Sequence, residues 1–262
     1  MKIRLRPILL LSIIFIMAAQ NSYAQNENQE FYQLRIYSFD SKDQIQTTDT
    51  YLKEAFLPGL KEIGLSPIGV FKDHTDNDSV VGKTYVLIPF DSMDDFLTIG
   101  SKLTSNETHV SEGENYLNAA HDNPPYKRIE SILMKAFVDM PKMAKPNLQG
   151  PRKDRIYELR SYESATEKLY ANKVDMFNAG GEVPLFADLG FNAVFYGEVL
   201  SGANMPNLMY MTTHENKEAR EANWKSFVDS PVWAKLKVRP EYQNNVSKNT
   251  QYMLYPTEYS DY

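Results

Sequence analysis

Two short motifs recur at nearly one spacing, and this repetition restricts the chain more than any other feature. Tyr32-Gln33-Leu34-Arg35-Ile36-Tyr37 returns as Tyr157-Glu158-Leu159-Arg160-Ser161-Tyr162, an offset of 125 residues (32 to 157). Pro58-Gly59-Leu60-Lys61-Glu62-Ile63-Gly64 is echoed by Pro184-Leu185-Phe186-Ala187-Asp188-Leu189-Gly190, an offset of 126 residues (58 to 184). Two separate motifs agreeing this closely mark a duplicated supersecondary unit.

Each copy carries the same run of patterns. An alternating strand comes first, Phe31 to Phe39 or Arg155 to Tyr162. A helix follows; in the first copy Ile45, Thr48, Leu52, Phe56, Leu60 and Ile63 recur every three or four residues, with Pro58 expected to kink or split it. Gly64 or Gly190 ends that helix, where a left-handed cap costs glycine little. Two strands come next, Pro67 to Lys72 with Lys83 to Phe90, and Phe191 to Leu200 with Leu208 to Thr213. A second helix starts near Ser92, where Ser92-Met93-Asp94-Asp95 resembles a capping box, or near Asn216. A last strand closes each copy, Arg128 to Phe137 and Gln251 to Tyr255. The order β-α-β-β-α-β is the ferredoxin-like split unit. The fold class is therefore α+β, with two such modules in tandem. Residues 101–127, rich in Asn, Ser, Glu and Pro, read as an insertion or long loop.

The chain opens with Lys2, Arg4 and Arg6, then an apolar run from Ile8 to Ala19 broken only by Ser12, then Ser22-Tyr23-Ala24. That is the tripartite form of a cleaved export signal, and the run is too short to span a bilayer. The boundaries that follow are a leader over 1–24, a first module over 25–139, a Pro-rich linker over 140–154 and a second module over 155–262. The expected location is periplasmic or extracellular, with no stable membrane span after cleavage. The leader holds three bases and no acid, so its loss moves the net charge from −6 to −9. An acidic chain repels a phosphate backbone, which excludes nucleic acid as an expected partner. With no cysteine, the core alone must hold the fold.

The opening strands, with Trp224-Lys225-Ser226-Phe227-Val228-Asp229-Ser230-Pro231-Val232-Trp233, resemble the NIPSNAP family: an aromatic-x-Leu-Arg-x-Tyr start and a tryptophan-bearing second helix. The similarity is fuller in the second copy, since the first has no tryptophan and carries the insertion. The resemblance implies a dimeric α/β-barrel, in which two ferredoxin-like sheets face each other. With both modules in one chain, the barrel can close within a monomer, and a homo-oligomer stays open as a partner. Relatives on this barrel include haem-dependent and cofactor-free oxidative enzymes and binding proteins, so the resemblance carries no one reaction.

Alternation assigns each opening strand two faces. Tyr32, Leu34, Ile36, Tyr157 and Leu159 are expected to pack on the helices. Gln33, Arg35, Tyr37, Glu158, Arg160 and Tyr162 would then line the barrel. Two Arg and two Tyr at matching positions suit an anionic small molecule, since a guanidinium fork grips carboxylate; the competing account is mutual pairing of Arg160 with Glu158. Among the histidines His214 is kept as a ligand-binding candidate, while His74, His109 and His121 read as ordinary surface or structural residues. No metal-ligand spacing, phosphate loop or nucleophile elbow appears, so no cofactor or haem is expected. Three readings follow: a small-molecule-binding barrel, a cofactor-independent oxygenase or isomerase using Arg160, Glu158 and Tyr162, and a structural or interaction module with a closed core.

Overall fold

The computed structural model describes residues 29–74 and 81–262. The proposed leader over 1–24 and the Asp-Asn segment 75–80 lie outside the described residues. The strands are β1 (Phe31–Ser38), β2 (Gly69–Asp73), β3 (Thr84–Phe90), β4 (Arg128–Ala136), β5 (Ile156–Glu163), β6 (Ala193–Ser201), β7 (Asn207–His214) and β8 (Lys248–Pro256). They close one antiparallel barrel in the order β1-β3-β2-β8-β5-β7-β6-β4. The first four strands are contiguous around the barrel as β4-β1-β3-β2, and the last four as β8-β5-β7-β6; the two groups join at β2–β8 and β4–β6. Closure leaves no free sheet edge.

Helices wrap the outside, and their starts follow local chemistry. Helix α1 (Lys42–Tyr51) is capped by Ser41, whose hydroxyl accepts from the Gln44 amide. It runs through a π-helical turn (Leu52–Phe56) into α2 (Leu57–Glu62), with Pro58 in the first turn of that last segment. The expected split at Pro58 is thus a widened turn just before the proline, where a missing N–H is tolerated. Gly64 and Gly190 end their helices at φ of +92° and +76°. Helix α3 (Met93–Thr104) is capped by Ser92. The stretch 101–127 is not simply a long loop: α3 extends into it, and two short helices follow, α4 (Glu107–Glu112), capped by Asn106, and α5 (Glu114–Leu117). The second half supplies α6 (Glu167–Phe177), α7 (Glu182–Asp188), α8 (Lys217–Asp229), capped by Asn216, and α9 (Pro231–Leu236).

The two faces of β1 and β5 are reversed from the sequence expectation. Tyr32, Leu34 and Ile36 point into the barrel with Phe71, Leu87, Met134, Tyr157, Leu159, Phe195, Met211 and Leu254, a core drawn from all eight strands. Tyr37 and Tyr162 instead lie on the helix side, among Phe56, Leu60 and Ile99 in one half and Phe177, Phe186 and Phe227 in the other. Arg35 and Arg160 share that side, stacked on Phe56 and Trp224. The physical reason is dryness. The barrel interior is packed with apolar side chains from every strand, whereas the helix side offers each guanidinium an aromatic face and places Glu158 beside Arg160. Residues 140–154 are stitched to the barrel and end in a 3-10 turn (Arg152–Asp154). Met143 and Leu148 pack on the interior core, and the Ala144 amide bonds the Val194 carbonyl. Among the described residues no helix is long and apolar enough to cross a membrane.

Candidate functional site

Because the polar side chains of β1 and β5 lie beneath the helices, each half has its own sheet–helix compartment. The six candidate residues do not converge in one barrel cavity. Arg35 and Tyr37 belong to the first compartment; Glu158, Arg160, Tyr162 and His214 belong to the second.

The second compartment is a closed charge network. Glu158 is fully buried, and its Oε1 accepts from Arg160 Nε at 2.7 Å and from Arg220 Nη2 at 2.8 Å. Its Oε2 accepts from Arg220 Nε at 2.7 Å and from Trp224 Nε1 at 2.8 Å. Burial pushes the Glu158 carboxyl up, but Arg220, Arg160 and Trp224 outweigh it and hold it below the ordinary glutamate value. Arg160 Nη1 donates to Tyr162 Oη at 3.1 Å, and Tyr162 pairs with Tyr210 at 2.9 Å. Every nitrogen of the Arg160 fork is therefore engaged, with Nη2 at 2.6 Å from Glu158. His214 is buried beside this network, its Nδ1 at 3.2 Å from Asn223 Nδ2 and its Nε2 at 3.9 Å from Glu158. Burial first, opposed by Glu158 and reinforced by Arg220 and Arg160, pushes the imidazole down to about 4. It is neutral at neutral pH. The mutual pairing of Arg160 with Glu158 is what the structure builds.

The first compartment has the same backbone framework and different chemistry. Gln33 stands where the second half has Glu158. Arg35 Nε donates to Gln33 Oε1 at 3.0 Å, and its Cζ lies 4.9 Å from the centre of the Phe56 ring. Among the described residues no carboxylate pairs with Arg35, whose nearest polar neighbours are the uncharged Gln33 and Tyr37. Gln33 turns away to donate to Ser131 at 2.8 Å. Tyr37 is fully buried close to Arg35 and Tyr116, yet its hydroxyl has no well-formed bond to either. Tyr51 stacks on Tyr116 at 3.7 Å, and Tyr51 Oη lies 2.9 Å from His109 Nε2. His109 Nδ1 lies 2.9 Å from the Leu103 carbonyl. A carbonyl only accepts, so Nδ1 carries the proton and neutral Nε2 accepts from Tyr51. Burial, with the Arg35 charge, lowers the His109 pKa against the Leu103 bond that raises it. Tyr116 and Tyr126 also line an outer cleft of about 750 Å³ whose rim holds His121, Lys127 and Arg128.

Sequence reasoning missed Arg220, although Arg220 and Trp224 stand four apart on α8 and so share a face. It passed over His109 as an ordinary histidine, and nothing in the local sequence links His109 to Tyr51. Among the described residues no group of His, Asp and Glu is placed to hold a metal ion.

An eight-stranded antiparallel barrel wrapped by helices, contained in one chain, places the protein in the dimeric-α/β-barrel-like class. A candidate monooxygenase from Lactobacillus acidophilus NCFM shares this fold at a TM-score of 0.57 and 12% identity, over 87% of this chain and 94% of that one. An anthrone oxidase-like protein matches at a TM-score of 0.50 and 8% identity, over 87% and 92%. At these identities the likeness is one of fold. Residues 157–261 match the NIPSNAP family model, in the half where the sequence resemblance was fuller. A NIPSNAP-like domain protein from Burkholderia xenovorans is 18% identical over 42% of this chain and 90% of its own, with a TM-score of 0.37. No curated relative matches the chain.

Proposed function

We propose that this is an exported protein of two tandem ferredoxin-like modules that binds a small organic anion beneath the helices of its first half, not inside the barrel. The packed barrel core supports a site outside the interior. What supports binding elsewhere is one contrast. Arg160 has all its fork committed to Glu158 and Tyr162, whereas Arg35, at the matching place, has only the uncharged Gln33 and Tyr37 beside it and no carboxylate among the described residues. A partly buried guanidinium cannot shed its charge, so an anion arriving there meets ready donors and little competition. Phe56, Tyr37 and Tyr116 nearby favour an aromatic body on that anion.

The test is calorimetric titration of the purified protein with benzoate and a panel of related aromatic carboxylates and phenols. Binding to the natural protein, lost in Arg35→Leu while the thermal midpoint holds, supports the reading. An Arg35→Leu protein that binds as tightly, or a natural protein that binds none of the panel, sinks it. Export has its own check: the mass of secreted or periplasmic material should begin at Gln25, and an intact Met1 in the cytoplasm rules it out. The names of the fold relatives add a second reading, a cofactor-independent oxygenase. The Tyr51–His109 bond favours it, because oxidation of a phenol starts by taking its proton.

A further inference from the structure

We propose a second site, in the cleft at the start of α8, where Arg220 anchors a small monocarboxylate with an aliphatic body. The cleft encloses about 640 Å³ and lies at the seam where β2 meets β8, so both halves of the chain build it. Its walls are His74, just past β2, Lys153 in the 3-10 turn before β5, and Lys217 and Arg220 on α8. Lys217, Arg220 and Trp224 follow helical spacing and share one face of α8. The floor is Ile156 and Met253. Ile156 has the same strand parity as Glu158, and Met253 is the partner of Glu158 on β8. Both side chains therefore point to the helix side of the sheet, as Glu158 does. His74 is fixed as a wall: its Nε2 donates to the Arg155 carbonyl at 3.0 Å, and its ring lies 5.0 Å from that of Tyr255.

The charge balance selects an anion. Arg160 and Arg220 share one carboxylate, Glu158, so the cluster beside the cleft holds one positive charge more than it neutralises. Arg160 is buried, and the surplus reaches the cleft at Arg220, whose side chain is 19% exposed. Glu158 takes Nε and Nη2 of that fork at 2.7 and 2.8 Å. This pairing holds the guanidinium rigid and leaves Nη1 on its opposite edge. Lys153 and Lys217 add to the field, and among the described residues no carboxylate pairs with either. Asp154 and Glu218 also line the cleft, and both are exposed. They offset the two lysines in water, where all four charges are screened, while the half-buried charge of Arg220 is screened less. One positive charge remains, which suits a singly charged ligand. The floor selects its body: a carboxylate seated on Nη1 lays an alkyl chain across Ile156 and Met253. This site and the one proposed at Arg35 stand in different halves and do not depend on each other.

The probe is hexanoate, with hexan-1-ol as its uncharged analogue, each titrated calorimetrically into the natural protein at neutral pH. Tryptophan emission gives a local readout, because Trp224 lies against Arg160 and donates to Glu158, which holds Arg220. Trp233→Phe removes the other tryptophan and isolates that signal. Hexanoate should bind and shift the emission, and hexanol should do neither. Arg220→Gln should weaken hexanoate at least about tenfold, the loss expected for a charge-assisted hydrogen bond. Lys153→Glu combined with Lys217→Glu reverses the charge of two exposed positions and should weaken it by a similar factor. That variant decides the matter if Arg220→Gln does not fold. Arg35→Leu should bind hexanoate within about threefold of the natural affinity. A natural protein that takes up no hexanoate, equal uptake of hexanol, or undiminished binding in either cleft variant overturns the site. Binding lost in Arg35→Leu and kept in Arg220→Gln also overturns it, and places the carboxylate in the first half.

Discussion

Arg160 lies 3.8 Å from the centre of the Trp224 ring while Trp224 Nε1 donates to Glu158, the carboxylate that also pairs Arg160. The indole thus serves one ion pair twice, with its face to the cation and its N–H to the anion. Glu158 is the hub, since it also holds Arg220. Glu158→Gln keeps the shape and removes the counter-ion of two guanidinium groups. It should cost about 3–5 kcal/mol in urea unfolding, the usual penalty for stranding a buried charge. Arg220→Gln, which leaves Arg160 and Trp224 on the carboxylate, should cost only about 1–2 kcal/mol. Equal small losses in both variants would mean that the network adds nothing to stability.

His214 gives the fold an acid sensitivity with a defined window. Its imidazole titrates near 4 when folded, against an ordinary value of 6.5, because it is buried beside two guanidinium groups. The unfolded chain therefore binds a proton between these values that the folded chain refuses, and stability is lost as pH falls through that range. It is fully present above 6.5. The loss should reach about 2–3 kcal/mol by the acid end. Glu158, also depressed, sheds its own contribution only below the ordinary value of 4.5, so the slope above that pH belongs to the buried histidines, His214 and, through its own lowered pKa, His109. Unfolding free energies measured from pH 7 downward should show the decline, and His214→Gln should make it shallower. An unchanged slope in that variant places the sensitivity elsewhere.

The eight strands and the helices between them were readable because alternation, helical spacing and the ending glycines Gly64 and Gly190 mark them locally. The direction in which Arg35 and Arg160 point was not. In a barrel wrapped by helices both faces of a strand are covered: β3 is buried at every residue, with Leu87 inward and Val86 and Ile88 under the helices. Alternation separates two faces but cannot tell which one meets the helices when both are dry. The partners were also remote in sequence. Arg220 reaches Glu158 from 62 residues away, and His109 reaches Tyr51 from 58. Composition hid His109 further, since its Asn- and Ser-rich surroundings read as loop until Asn106 is seen capping a short helix.

Gly59 allows the contact that places His109. A methyl group added there would stand 2.9 Å from His109 Cβ, 3.2 Å from Asn106 Oδ1 and 3.2 Å from Leu103 Cδ2. These are the residue itself, its helix cap and the residue whose carbonyl holds its Nδ1. Gly59→Ala should push α4 away from α2, costing about 1–3 kcal/mol by overpacking even though alanine is the better helix former. It should also release the Tyr51–His109 bond, visible as a change in the His109 ring resonances. A variant that is more stable than the natural protein, with the resonances unmoved, would show that the helices are free to part.

Hydroxyls inside the barrel and beneath the helices should answer oppositely to the same change. Tyr32 and Tyr157 point into the apolar interior, and neither hydroxyl has a well-formed hydrogen bond, although Glu30 and Arg155 lie in their neighbourhood. Removing an unpaired buried hydroxyl removes a desolvation cost and little else. Tyr32→Phe and Tyr157→Phe should therefore be neutral or stabilising by about 1 kcal/mol. Tyr162 sits on the other face, where its hydroxyl accepts from Arg160 and pairs with Tyr210. Tyr162→Phe strands both neighbours and should cost about 1–3 kcal/mol. Urea midpoints of the three variants make the comparison. Should Tyr32→Phe and Tyr157→Phe both lose more than about 1 kcal/mol, their hydroxyls have partners in solution. The barrel interior would then be polar enough to hold a guest, and the binding site would have to be sought there and not at Arg35.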